Sequence, residues 1–477
     1  MALVGAAPVD VVRPAASGEP WTASGIANLR RDLDTMLAAD PAVSGAHVGV
    51  FALDTGSGTV LYDRSGADEF QPASTLKLLI GSVALEKLGS AYRFHTQLDR
   101  VGERLVLRAG GDPFLVSGDL DAAAQAVSAS GMRSADGVSV DASRYDTPPY
   151  PAGWVWDDFA YDYAARVSAA AVDGNVTTLS VVPGSAVGDR VGVLSGGTPF
   201  IIPTMCPGLV NRATTGPANG AATIDTLTLA PDCAAIVGTL PLAAPSTSIA
   251  VAVRDPAESL KDTFLASLQA PQRAIGLGDA AADNGIAPGN EPPDGRLLWV
   301  HESQPLASWL GPAFWIPSDN FVAEQLLCEL GYVVGGAPGS TGGGISAERA
   351  WLTGIGIDPA TTTLADGSGL SQYDRITPRD LVAILQHDWN GPSRDLVLDS
   401  LPIGAVRGTI EGIAGTPAAG RVFAKTGSMS HVRGLAGYLA TLRHGAVTFA
   451  FNVDDWNGDY APLAALRARF LSRFITD

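Results

Sequence analysis

One segment restricts the possible folds more than any other: ASTLKLLIGSVALEKL, residues 73–88. Read at helical period, Leu76, Leu79, Ile80, Val83, Leu85 and Leu88 cover most of the circumference, and Gly89 follows where a C-terminal cap belongs. A helix apolar nearly all round has to run through an interior, with other elements packed on several sides. Its first turn nevertheless carries Lys77. The chain has only four lysines, Lys77, Lys87, Lys261 and Lys425, against many arginines. Lys87 and Lys261 sit in ordinary polar helix contexts; Lys77 and Lys425 do not.

At 477 residues, 46% of them hydrophobic, the chain is long enough for two or three domains. SGIANLRRDLDTMLAADP spaces Ile26, Leu29, Leu33 and Leu37 along one helix face, and AHVGVFALDTGSGTVLYDRS reads as a hairpin. Beyond about residue 95 the texture changes to short strands with Gly, Pro and Asp turns, and from about 176 to 250 Thr and Val alternate with little helical period. Helices return in NFVAEQLLCELG and TPRDLVAILQHDW, followed by two strands, GRVFAKTGSMSHVRGLAGYLATL and GAVTFAFNV, and the helix APLAALRARFLSRFITD. The outline predicts an α+β fold, an antiparallel sheet flanked by helices and interrupted by inserted β-rich domains. The expected bounds are 20–95 with 290–477 for the sheet-and-helix domain, 96–180 with 251–289 for an inserted domain, and 181–250 for a β-rich domain nested in it.

The net charge of −18 argues against nucleic acid or an anionic membrane surface as partner, since both attract basic patches. No apolar run reaches the roughly 18–20 residues that span a bilayer. MALVGAAPVD lacks the basic and long apolar regions of a signal peptide, so the chain is expected to be either cytoplasmic or a mature form from which a signal was removed. Cys206 and Cys233 share one segment and, in an exported protein, are either bonded to each other or not. Cys328 reads as a small buried residue. The histidines show no ligand spacing such as HExxH, and no metal or cofactor is expected.

Ser74-Thr-Leu-Lys77 sets a hydroxyl and an amine on one helix face. A serine hydroxyl is a poor nucleophile until a base takes its proton, and lysine serves as that base when burial or a second cation draws its pKa toward neutrality. Taken alone, Lys77 is also consistent with an amine that snorkels to the surface. Ser318-Asp-Asn320, in WIPSDNFVAEQL, opens an expected helix, where all three residue types are ordinary caps too. Lys425-Thr426-Gly427-Ser428 lies on a strand. There Gly427 would let a substrate backbone approach closely, and a surface lysine on an edge strand is the plain alternative. In chain order the three form the set S-x-x-K, S-x-N, K-T-G of penicillin-binding proteins and class A β-lactamases.

From about residue 25 to its end the sequence resembles the D-alanyl-D-alanine carboxypeptidases of the low-molecular-mass class C penicillin-binding proteins, peptidase family S13. Besides the three motifs, AGGDPFL (109–115), ADGSGLS (365–371), AKTGSMSHVRGLAGYL (424–439) and VDASRYDTPPYPAGWVWDDFAYDYAARVSA (140–169) are similar to that family's elements. The resemblance implies a penicillin-binding-protein/β-lactamase-like transpeptidase domain, with inserted domains between the first and second motifs. It also implies Ser74 as nucleophile, Lys77 as its base and Ser318 as proton relay to the leaving amine. Asn320 would hold the substrate amide, and Lys425 would keep the site positive. Thr426 and Ser428 would bind the terminal carboxylate, and the N–H groups of Ser74 and Ser428 would form the oxyanion hole. Asp157, Asp366 and Ser368 are candidate neighbours on the same ground. Where the family usually has Arg after DGSGLS, this chain has Gln372. His431 and Arg433 could replace that cation, though a surface place is expected for them.

The expected activity is a serine DD-peptidase acting outside the cytoplasm on the D-Ala-D-Ala ends, and possibly the cross-links, of peptidoglycan stem peptides, with β-lactams as acylating inhibitors. A β-lactamase or esterase using the same pair, or a non-catalytic cell-wall-binding protein, are the competing readings. Class A β-lactamases deacylate with a glutamate four residues before an asparagine. None of Asn175, Asn211, Asn219, Asn284 and Asn290, which lie between Lys77 and Ser318, has one.

Overall fold

Two segments from opposite ends of the chain, His47–Asp54 and Ala446–Asp454, pair antiparallel along their whole length. They form the middle of a five-stranded antiparallel sheet whose order is Val422–Met429, Val432–Ala440, Ala446–Asp454, His47–Asp54, Val60–Arg64. The computed structural model describes residues 9–195, 198–199, 208–270, 276–277 and 295–477. The sheet belongs to a unit made of Met1–Tyr92, Gln304–Asp319 and Thr341–Asp477.

Alternation along the strands gives the sheet two different faces. Val48, Val50, Ala52, Leu435, Phe449, Phe451 and Val453 point one way and pack on the helices Ala23–Ala39 and Tyr460–Thr476 through Leu29, Leu33, Leu37, Leu463, Leu466, Phe470 and Phe474. Each large side chain fully buried there contributes roughly 1.5–3 kcal/mol. The other face is paved with glycine where the segment from Phe70 to Thr75 crosses it. A Cβ at Gly49 would strike the Phe70 ring, one at Gly427 would lie 2.6 Å from the Pro72 carbonyl oxygen, and one at Gly434 would lie 2.9 Å from Thr75 Cγ2. Gly427 therefore admits the chain's own backbone, a role the sequence had suggested for substrate.

Behind that segment runs the apolar helix, Lys77–Lys87, with every residue from Lys77 to Leu85 buried. The expected start at Ala73 is instead a 3₁₀ turn, Ala73–Leu76, because Ala73 takes φ +44°, which breaks the α-helical run. Trp315 closes on the helix, its indole donating to the Lys77 carbonyl at 2.9 Å, and only a glycine at position 81 leaves room for its ring. Gly89, at φ +91°, ends the helix as expected, its N–H donating to the Ala84 carbonyl.

The helix Pro378–Asn390 packs beside it and brings in Asp388. The Ser82 hydroxyl lies 2.6 Å from Asp388 Oδ2 and 2.8 Å from the Leu78 carbonyl. Burial pushes the Asp388 carboxyl up to about 7, with the Glu86 charge adding to it and the Ser82 hydrogen bond opposing. Its folded value stands above its unfolded one, so the native state holds the proton more tightly and stability falls as pH rises from 3.8 to about 7. Asp388→Asn is expected to raise the melting temperature at pH 8 and change it little at pH 4. The difference is on the order of 4 kcal/mol, checked by thermal melts at both pH values.

The second unit comprises Arg93–Ser303 and Asn320–Ser340. Of its two four-stranded sheets among the described residues, one runs Arg296–Glu302, His95–Val101, Arg104–Arg108, Gly137–Asp141, and packs on the helices Ser117–Ala129 and Pro256–Leu268. Between Val176 and Ala252 lie shorter strands around a core of Leu179, Val181, Val193, Ile236 and Leu240. The helix Asn320–Gly335 groups with this unit rather than with the sheet-and-helix part expected for it. Cys328 enters this unit's core, and Glu329 is bound by Arg144 and by the Tyr145 hydroxyl at 2.7 Å. Cys233 is buried on the strand Cys233–Val237, and Cys206, the other half of the expectation for this pair, lies outside the described residues. Among the described residues no helix is long and apolar enough to cross a membrane.

Candidate active site

Ser74 sits in the 3₁₀ turn, and the turn is held from both sides. The Thr75 hydroxyl donates to the Pro72 carbonyl at 2.7 Å, and Gly369 passes so close that a Cβ there would meet the Ala73 oxygen at 2.0 Å. One turn on, Lys77 is fully buried, and its amine lies 2.8 Å from Ser74 Oγ and 2.7 Å from the Ser368 carbonyl. The snorkelling alternative is excluded. Asp366 builds the loop that presents this carbonyl. Its carboxylate accepts from Ser368 Oγ at 3.0 Å, from Gly369 N–H at 2.6 Å and from Ser371 N–H at 2.8 Å. Asp366 and Ser368 are fully buried, so they act behind Lys77 rather than at an open surface.

Ser318 holds φ +66°, a left-handed conformation costly for a residue with a Cβ, and such strain is characteristic of functional sites. Its hydroxyl accepts from the Lys425 amine at 2.7 Å, which also donates to the Thr426 carbonyl at 2.9 Å. Lys425 is fully buried, not an edge-strand surface lysine. Burial, and then the charge of Lys77, push its ammonium well below its usual value.

The strand Val422–Met429 is the edge of the sheet. Gly404 N–H donates to the Val422 carbonyl and Ala424 N–H to the Pro402 carbonyl, so Val422 and Ala424 turn their backbone groups away from the sheet. By the two-residue period of the strand, Thr426 and Ser428 do so as well. There the edge opens on a cavity of about 390 Å³ lined by Ser74, Ser318, Thr409, Glu411, Thr426, Ser428, Arg433 and Tyr460. Both serines, each in contact with a buried amine, and the outward edge of the third motif thus meet at one crevice, within a single unit of the chain.

Asn320 belongs to the other unit, where its side-chain amide donates to the Tyr163 carbonyl at 2.9 Å. Asp157 is exposed in that unit. Gln372 accepts at its side-chain oxygen from Gln71 Nε2 at 3.2 Å. His431 is exposed, but Arg433 lines the cavity, contrary to the surface place expected for it. Thr409, Glu411 and Tyr460 escaped sequence reasoning altogether. Thr409 and Glu411 stand in a loop without a motif, and Tyr460 opens what reads as an ordinary packing helix.

A hydroxyl in contact with a buried amine, in a crevice edged by outward backbone N–H groups, is the apparatus of serine acyl transfer. The sequence matches the D-Ala-D-Ala carboxypeptidase 3 (S13) family over residues 29–468, and the chain belongs to that family. It is 35% identical to the D-alanyl-D-alanine carboxypeptidase of Actinomadura sp. strain R39, over 97% of this chain and 86% of that one. It is 26% identical to the D-alanyl-D-alanine carboxypeptidase DacB of Haemophilus influenzae, over 87% and 86% respectively. Its fold matches the crystal structure of penicillin-binding protein 4 from Haemophilus influenzae with a TM-score of 0.78 at 23% identity, covering 92% of this chain and 98% of that one.

Proposed function

We propose that the chain is a serine DD-peptidase that cleaves the D-Ala-D-Ala ends of peptidoglycan stem peptides outside the cytoplasm. The observation that carries this reading is the 2.8 Å contact between the Lys77 amine and Ser74 Oγ at the mouth of the cavity. With the amine neutral, the same contact serves in reverse, the Ser74 hydroxyl donating its proton to Lys77. Oγ then forms its bond to the carbonyl carbon of the penultimate D-Ala. The oxyanion is met by the N–H groups of Ser74 and Ser428. As the carbon–nitrogen bond breaks, the leaving D-Ala nitrogen takes a proton from the Ser318 hydroxyl, which is resupplied from Lys425 at 2.7 Å. The proton that Lys77 took from Ser74 passes through the crevice to Lys425, which restores both amines. Neutral again, Lys77 takes a proton from water, the hydroxide attacks the acyl carbon, and that proton returns to Ser74 Oγ as the ester bond breaks. Thr426 and Ser428 receive the terminal carboxylate, and Asn320, from the start of its helix, the substrate amide. Residues 181–250 form the nested insertion on the non-catalytic unit.

A β-lactam places a strained amide and a carboxylate in the same positions and so leaves a slowly hydrolysed adduct. Incubation with labelled penicillin, followed by peptide mapping, is expected to place the label on Ser74, and a D-Ala-D-Ala-ending peptide to release D-alanine. A folded protein that does neither overturns the reading, and rapid turnover of nitrocefin replaces it with a β-lactamase.

A further inference from the structure

The cavity has a cation that its motifs do not supply. Arg433 lies directly opposite Ser428 in the strand ladder, on the same sheet face as Thr426 and Ser428. Its Nη1 donates to the carbonyls of Met429 and Val432 at 2.5 and 2.7 Å, and its guanidinium stacks over the Trp456 ring at 4.6 Å and near the Tyr460 ring at 5.7 Å. Two carbonyls and two aromatic faces fix it, and among the described residues no carboxylate pairs with it. Tyr460 is positioned in turn. Buried Arg467 donates to its hydroxyl oxygen at 2.9 Å, which leaves the phenolic proton to donate elsewhere. Both Arg433 and Tyr460 line the crevice that holds Ser74.

A guanidinium without a carboxylate, held rigidly beside two hydroxyl-bearing strand residues, is a receptor for a small anion. We propose that Arg433, assisted by Tyr460, binds the terminal carboxylate of the substrate and sets the enzyme's requirement for it. This rests on the serine peptidase reading. Lys425 is less suited to the task, being buried and already engaged with Ser318 and the Thr426 carbonyl.

The test uses two acyl-D-Ala thioesters that differ only in the leaving group, one ending in a free carboxylate and the other in its methyl ester. Wild type is expected to prefer the carboxylate. Arg433→Gln should lower kcat/KM on the carboxylate substrate by about tenfold to a hundredfold and collapse the ratio between the two, while Arg433→Lys keeps part of it. An equal loss on both substrates, or an unchanged ratio in a variant whose circular dichroism and melting match wild type, overturns the proposal. If wild type consumes neither thioester and takes up no penicillin, the peptidase reading itself fails, a result separate from any effect at Arg433.

Discussion

Ser74→Ala is expected to lose roughly 10⁴- to 10⁶-fold in peptide hydrolysis and to form no covalent penicillin adduct by mass spectrometry. The size follows from what the hydroxyl does. Among the described residues of the cavity, Ser318 also has an amine at hydrogen-bond distance, Lys425 at 2.7 Å. The Ser318 hydroxyl accepts from Lys425, but its neighbouring backbone is a left-handed turn and not the turn held beneath the outward edge of the sheet. Binding should survive. The crevice keeps Thr426, Ser428 and Arg433, so the variant is expected to bind benzylpenicillin reversibly, measured by calorimetry. Stability should change little, because Ser74 is only half-buried and Lys77 keeps the Ser368 carbonyl at 2.7 Å. Retention of even a hundredth of the activity would mean that another residue is acylated.

What could be read beforehand divides along the range of the interactions. The Ser74–Lys77 contact is local, three residues along one helix face, and the apolar surround that buries Lys77 is written in the same segment. Strand alternation and helix period announced the first hairpin and the terminal helices, but the single strand expected over 420–442 is two, Val422–Met429 and Val432–Ala440, folded back on each other. The partnership of Ser318 with Lys425 spans 107 residues, and only the recurrence of a known set of motifs pointed to it. Sheet order is similarly remote. Nothing local says that His47–Asp54 lies beside Ala446–Asp454.

Arg433 shows why the remainder was hidden. An arginine on a strand reads the same whether its face meets solvent or a crevice, and only the helix beginning at Tyr460 decides between them. Gly427 misled in the opposite way. A strand glycine signals close approach, but the sequence does not say by what, and here it is Pro72. The AGGDPFL segment has a similar explanation. A Cβ at Gly110 would overlap the His95 carbonyl, and one at Gly111 the Tyr145 hydroxyl, so both glycines answer to packing in the second unit.

Lys77 separates catalysis from stability most sharply. Lys77→Met is expected to slow acylation by about 10²- to 10⁴-fold, the range of a lost general base, while melting at or above the wild-type temperature. A buried amine costs desolvation that an apolar side chain of similar length does not. Removing it also relieves Lys425. The Lys425 value is now depressed by burial first and by the Lys77 charge second, so the unfolded chain binds more protons than the native state between that depressed value and 10.5. Across that window native stability rises with pH, and below it the cost of charging is complete. Without Lys77 the folded value moves back up and the window narrows, so the variant should show a shallower rise of melting temperature with alkaline pH. Lys77→Arg completes the test. Guanidinium keeps the charge and the donors but does not give up its proton, so it offers Ser74 no base. A Lys77→Arg enzyme as inactive as Lys77→Met assigns the loss to proton removal. One that still acylates at a tenth of the wild-type rate would show that Lys77 works as a fixed charge, and Ser74 would need a different base.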